Sequence, residues 1–222
     1  MVIAGSCCGA RQQKHPDLWY TKPLFDATFR EYGLPECIRT DNGAPFASVG
    51  IGGLSELSVW WVKLGIRPER IAPGKPGQNG RHERMHRTLK QETAQPPRGN
   101  LREQQAAFDR FRQEYNYQRP HQALQGRTPA ECYQASLRPY NSRLREVVYP
   151  TDYEVRYVSD GGQMRWFGSR VFVGRALMGE PLGLEPCGEG HWKVWFSFLE
   201  LGVFDEKKLL IRSAHKPAGT QK

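Results

Sequence analysis

Paired cysteines are scarce in this 222-residue chain. Its five cysteines (Cys7, Cys8, Cys37, Cys132 and Cys187) are odd in number, scattered, and contain no C-x-x-C pair. That pattern argues against a zinc ribbon and a disulfide framework, and it fits a reducing compartment. Long apolar runs are lacking too. None approaches the roughly 18 residues needed to span a bilayer. The opening Met1-Val2-Ile3-Ala4-Gly5-Ser6-Cys7 looks faintly like a lipoprotein processing site but has no basic start. A soluble, cytoplasmic protein with no membrane partner is expected. Negative charge is also in deficit: 23 Asp and Glu stand against 32 Lys and Arg, giving a formal charge of +9. Such a surplus predicts attraction to polyanions, since each phosphate contact releases condensed counterions.

What is present has the punctuation of an α/β protein. Apolar spacing predicts a helix from about Lys22 to Tyr32, with Leu24, Phe25, Thr28, Phe29 and Tyr32 on one stripe and Gly33 and Pro35 closing it. Val2–Cys8 reads as a short strand, and Cys37–Thr40 as another that ends at Asp41; Asn42-Gly43 is a turn dipeptide. Gly50, Gly52 and Gly53 lead into an apolar helix through Leu54, Leu57, Val59, Trp60, Trp61 and Leu64, and Ile66–Ile71 is a further strand. After a loop at Gly74–Gly80, a helix is expected from about Gln78 to Thr93, and Pro96-Pro97 separates it from a second one at Leu101–Tyr117. That second helix should bury Leu101, Phe108, Phe111 and Tyr115. Beyond Pro150 the chain breaks into short alternating runs that read as a small barrel of the SH3-like type. The resulting division is a core over 1–138, a linker over 139–150, a barrel over 151–211 and a disordered tail over 212–222.

Two carboxylates stand out. Asp41 sits at a strand end within Thr40-Asp41-Asn42-Gly43-Ala44-Pro45-Phe46, and Glu83 lies in the first turns of the helix that follows Gly74-Lys75-Pro76-Gly77-Gln78-Asn79-Gly80. At about 100° per residue, Arg87 and Lys90 fall within about 40° of Glu83, while Met85 and Leu89 point to the far side. Carboxylates from separate elements can hold two divalent ions against a phosphodiester, and a cationic glycine loop beside them can touch nucleic acid through Lys75, Gln78 and Asn79. The bland alternative makes Asp41 part of a surface turn and Glu83 a helix residue favoured by the dipole. His82-Glu83-Arg84-Met85-His86 also fits H-E-x-x-H, the zinc-peptidase pattern. Its arginine-rich flanks and the lack of a near third ligand, with only His121 and His191 as distant candidates, weaken that alternative.

The blocks Gly33-Leu34-Pro35, Thr40-Asp41-Asn42-Gly43, Gly74–Glu83, Tyr115-Asn116, Arg119-Pro120-His121-Gln122-Ala123-Leu124 and Arg127-Thr128-Pro129-Ala130 together resemble bacterial insertion-sequence transposases with a catalytic domain of the retroviral-integrase type. The resemblance runs from about Phe25 to Pro139, and the C-terminal segment resembles the DNA-binding end of some relatives. It implies a ribonuclease-H-like core followed by the barrel. It further implies that Asp41 and Glu83 are the second and third members of a D-D-E triad holding two Mg²⁺ or Mn²⁺ ions. DNA, both element ends and target, would be the partner, with a homo-oligomer working on the DNA near the nucleoid. The implied reaction is strand cleavage followed by attack of the freed 3′-hydroxyl on target DNA.

One departure shapes the expectation. In the family, three strands precede the first helix and the earliest carries the first Asp. Here only 40 residues precede Asp41, enough for about one strand before the helix at strand lengths of roughly five or six residues. Asp17 and Asp26 lie just before or within that helix. The expectation is an N-terminally truncated transposase that binds DNA with catalysis impaired, or a non-catalytic DNA-binding remnant.

Overall fold

A computed structural model describes residues 18–40, 43–48, 50–71 and 80–214. The strand expected at Val2–Cys8 and Asp17 lie outside them. The first half is mainly helical. Helix α1 (Leu18–Tyr32) leads to strand β1 (Cys37–Thr40), then α2 (Glu56–Lys63) and strand β2 (Arg67–Arg70). Helix α3 (Gly80–Thr93) and helix α4 (Leu101–Gln113) follow, and α4 runs on as a wider π-helical turn (Glu114–Gln118) before the short α5 (Pro129–Cys132). Among the described residues seven strands follow: β3 (Glu154–Tyr157), β4 (Gln163–Trp166), β5 (Ser169–Phe172), β6 (Pro181–Gly188), β7 (His191–Phe196), β8 (Leu199–Asp205) and β9 (Leu210–Ser213). Among the described residues no helix is long and apolar enough to cross a membrane.

The described chain forms two compact units, one of 20–34 with 80–141 and one of 35–71 with 142–214. In the first, Phe29 is the buried residue of the α1 stripe, 2% exposed, and packs on Phe25 and on the edge of Tyr140. Gly33 stops the helix in the left-handed region at φ +76, where a Cβ would lie 2.9 Å from the Arg138 carbonyl. Helix α3 packs against α4, with Met85 buried on one and Ala107 and Phe111 on the other. Leu101 departs from expectation: it is 72% exposed. It is the first residue of α4, a turn ahead of the stretch that meets α3, so its place on the apolar stripe brings no burial.

In the second unit β1 and β2 pair in parallel, Thr40 opposite Arg70. Ser55 caps α2 and shares a capping box with Ser58, and Leu57, Trp60, Trp61 and Val62 are all buried. The C-terminal strands form an antiparallel sheet in the order β3-β6-β7-β8-β9, while β4 and β5 make a separate hairpin. No ladder closes these into a barrel among the described residues. Arg212 and Ser213, assigned to the tail from their polarity, complete β9 by pairing with Val203 and Gly202. Polarity misled there because an edge strand exposes alternate residues: Ile211 is buried while its neighbours face solvent. Leu54, Val59 and Val62 share one core with Leu182, Leu184, Val194, Phe196, Leu201 and Phe204 of the sheet. The Lys63–Glu180 ion pair, at 2.6 Å, ties the end of α2 to the same sheet.

Candidate metal and nucleic-acid site

Helix α3 is strongly amphipathic in charge rather than in hydropathy. Met85 anchors it, 3% exposed, with Leu89 and Thr93 on the same side partly or fully covered. The opposite face carries Glu83, Arg84, His86, Arg87 and Lys90, all exposed. Glu83 lies in the first turn, where the positive end of the helix dipole favours a carboxylate. Of the residues singled out by sequence, Glu83, Arg87 and Lys90 therefore share one exposed face. Asp41, Lys75, Gln78 and Asn79 lie outside the described residues.

The strand leading to Asp41 is well set. Parallel strands in open α/β sheets present ligand sites at their carboxyl ends, and the amide of Ile71 donates to Thr40 O at 3.2 Å there. Glu69 is committed to Arg39, which donates to it through two nitrogens at 3.2 and 2.9 Å. Arg70 has a half-buried guanidinium that donates to the carbonyls of Gly52 and Gly53, and burial lowers its pKa. A carboxylate oxygen is a hard donor suited to Mg²⁺ or Mn²⁺, and the solvent-facing Glu83 fits that demand. Among the described residues no group of three or more His, Cys, Asp or Glu gathers at one place.

Asp26, within α1, has other work. Tyr140 donates a short hydrogen bond to it and Arg30 a 2.9 Å one, and the tyrosine hydroxyl, more than the arginine, holds its carboxyl below the usual range. The distant histidines of the zinc alternative are likewise engaged. His121 Nε2 lies 3.2 Å from Tyr115 O, and His191 Nδ1 lies 2.9 Å from Glu189 O. Of the aromatic residues in the C-terminal sheet, Trp192 and Trp195 donate their indole N–H groups to Glu206 and Glu185. Trp166 is buried beneath the Arg156 guanidinium, 5.2 Å from its ring centre. Arg165 and Arg170 are exposed.

Two side chains that tie separate segments together escape sequence reading as individuals. Arg119 was seen only as a letter in a block, yet it bonds both carboxylate oxygens of Glu92, each at 3.0 Å. Tyr149 was placed in a linker, yet its hydroxyl is clasped by three backbone groups of the sheet. Residue type carried a faint signal for Arg119, since arginine is the side chain that can fork onto a carboxylate.

The Integrase core domain family matches residues 64–129, implying a ribonuclease-H-like α/β fold there, and the C-terminal domain of the IS481 family transposases matches residues 153–211. In both segments the chain is similar to bacterial insertion-sequence transposases. It is 32% identical over 113 residues to the Insertion element IS407 uncharacterized 31.7 kDa protein of Burkholderia multivorans, a match covering 50% of this chain. The chain spans 39% of that relative's length. Glu83, Arg87, Lys90 and the Lys75–Asn79 loop fall inside the integrase match, whereas Asp41 precedes it.

Proposed function

We propose that this chain acts in DNA transposition, cleaving DNA strands and transferring them by attack of a 3′-hydroxyl on a target phosphodiester. The observation that carries the reading is the face of α3. Within a segment matched by the integrase core, Glu83 stands exposed between Arg87 and Lys90 while Met85 anchors the helix behind them. Glu83 and Asp41 would hold two Mg²⁺ or Mn²⁺ ions. When bound, such ions activate the attacking oxygen and stabilise the leaving one. Arg87 and Lys90 would grip backbone phosphates on either side of the scissile bond, fixing register without reading sequence. Lys75, Gln78 and Asn79 would close over the DNA from the preceding loop. With two assigned carboxylates for two ions, cleavage is expected to be slow. A homo-oligomer assembled on DNA is the proposed working form.

The C-terminal unit would supply further DNA surface through Arg165 and Arg170. Its SH3-like character is supported by the hairpin's position, β4 beside β3 and β5 beside β9, against both edges of the five-stranded sheet.

The test is nicking of supercoiled plasmid by the purified chain with Mg²⁺ or Mn²⁺. Nicked circles are expected, removed by chelation and by Glu83→Gln, with plasmid binding retained in the variant. Binding without metal-dependent nicking would assign the chain to the non-catalytic DNA-binding class instead. Nicking that survives Glu83→Gln would sink the assignment of that carboxylate.

A further inference from the structure

The Tyr115–His121 block takes no part in the proposed chemistry, yet its geometry bears on α3. At Glu114 helix α4 widens: the amide of Arg119 donates to Glu114 O at 2.9 Å, a five-residue step. The widening rotates the chain so that Arg119 leaves the helix with extended backbone, φ −85 and ψ 115. Its guanidinium then meets α3. Nη1 donates to Glu92 Oε1 and Nη2 to Glu92 Oε2, both at 3.0 Å, and Nη2 also reaches Glu114 Oε1 at 2.6 Å. The same group lies over the rings of Phe111 and Tyr115, 5.9 Å from each centre. His121 closes the block, its ring 4.5 Å from that of Tyr115. Nearby, Gln104 Nε2 donates to Thr93 O at 3.0 Å, a second tie to the end of α3.

Glu92 lies nine residues beyond Glu83 on α3, about 13 Å along the axis at ~1.5 Å per residue. A planar fork held between two carboxylates and two aromatic faces fixes rotation as well as distance, which a single point contact does not. A rigid helix passes that orientation to its other end. We propose that Arg119 is a positioning residue. By gripping Glu92 it sets the rotation and tilt of α3, and with them the direction in which Glu83, Arg87 and Lys90 face. The inference rests on the assignment of Glu83 proposed above.

The experiment compares the full chain with Arg119→Lys, Glu92→Gln and the double variant, measuring plasmid nicking with Mn²⁺, plasmid affinity, and amide exchange across 80–93. A lysine keeps the charge but cannot bridge both carboxylates. Arg119→Lys should therefore speed exchange across 80–93 and lower kcat by roughly tenfold to a hundredfold at unchanged KM. Plasmid affinity should stay within about twofold, since no phosphate contact is removed. The double variant should be no slower than the worse single one, as befits partners in one interaction. Parent-like nicking and exchange in Arg119→Lys would overturn the proposal. So would equal losses of kcat and affinity accompanied by general unfolding. If the parent chain fails to nick, the Glu83 assignment fails, and exchange alone decides the clasp: unchanged protection across 80–93 overturns it, and loss confined to that helix upholds it.

Discussion

Tyr149 illustrates how a single hydroxyl can organise a segment that local sequence leaves featureless. It lies between the carbonyls of Pro181 and Trp195, at 2.9 and 3.1 Å, and accepts the Ser197 amide at 3.0 Å, while its ring covers Gly183. Burial, more than any other influence, pushes its pKa up to about 12. The fold therefore favours the protonated phenol. The stability this contributes is complete below the ordinary tyrosine value near 10 and is lost as pH rises through about 12. Tyr149→Phe should cost about 1–3 kcal/mol, because it strands the Ser197 amide and a carbonyl. Its Tm should also fall less steeply than the parent's between pH 9 and 12, the two being compared by circular dichroism. Equal alkaline slopes would place the titrating group elsewhere, with Tyr32 and Tyr140, also raised to about 12, the next to examine.

At the scale of elements, α3 separates its two duties by face. Met85→Ala should cost about 2–4 kcal/mol of stability through the cavity it leaves between α3 and α4. Arg87→Ala, on the exposed face, should change stability by no more than about 0.5 kcal/mol. On the proposed function it should weaken DNA binding uniformly across sequences and reduce the salt slope by about one. Denaturant melts and filter binding at several salt concentrations check the pair. A stability loss in Arg87→Ala matching that of Met85→Ala would mean that the faces are wrongly assigned. Both faces were legible from the 3.6-residue period of Met85, Leu89, Arg87 and Lys90. The end of the helix was less so, since what holds Glu92 comes from 27 residues away.

Over the second compact unit, the structure joins stretches that sequence kept apart. Leu54, Val59 and Val62 precede the integrase helix α3 in the chain, yet their apolar partners are strands of the C-terminal sheet more than a hundred residues on. Leu54→Ala should accordingly cost about 2–4 kcal/mol and speed amide exchange in both 56–63 and 182–204. Exchange that rises in 56–63 alone would show two separate cores. By itself the sequence determined the local elements: the period of α1 and α3, the strand at Cys37–Thr40, the stop at Gly33, and the acidic and cationic face around Glu83. Those follow from backbone preference and apolar spacing within a dozen residues, which any short window contains. Tertiary structure alone decided that Leu101 stays in water, that Ile211 to Ser213 becomes a strand, that Arg119 finds Glu92, and that α2 packs into a distant sheet. Each of these depends on which surfaces meet after the chain has closed long loops, and apolar or charged residues carry no mark of their eventual partner.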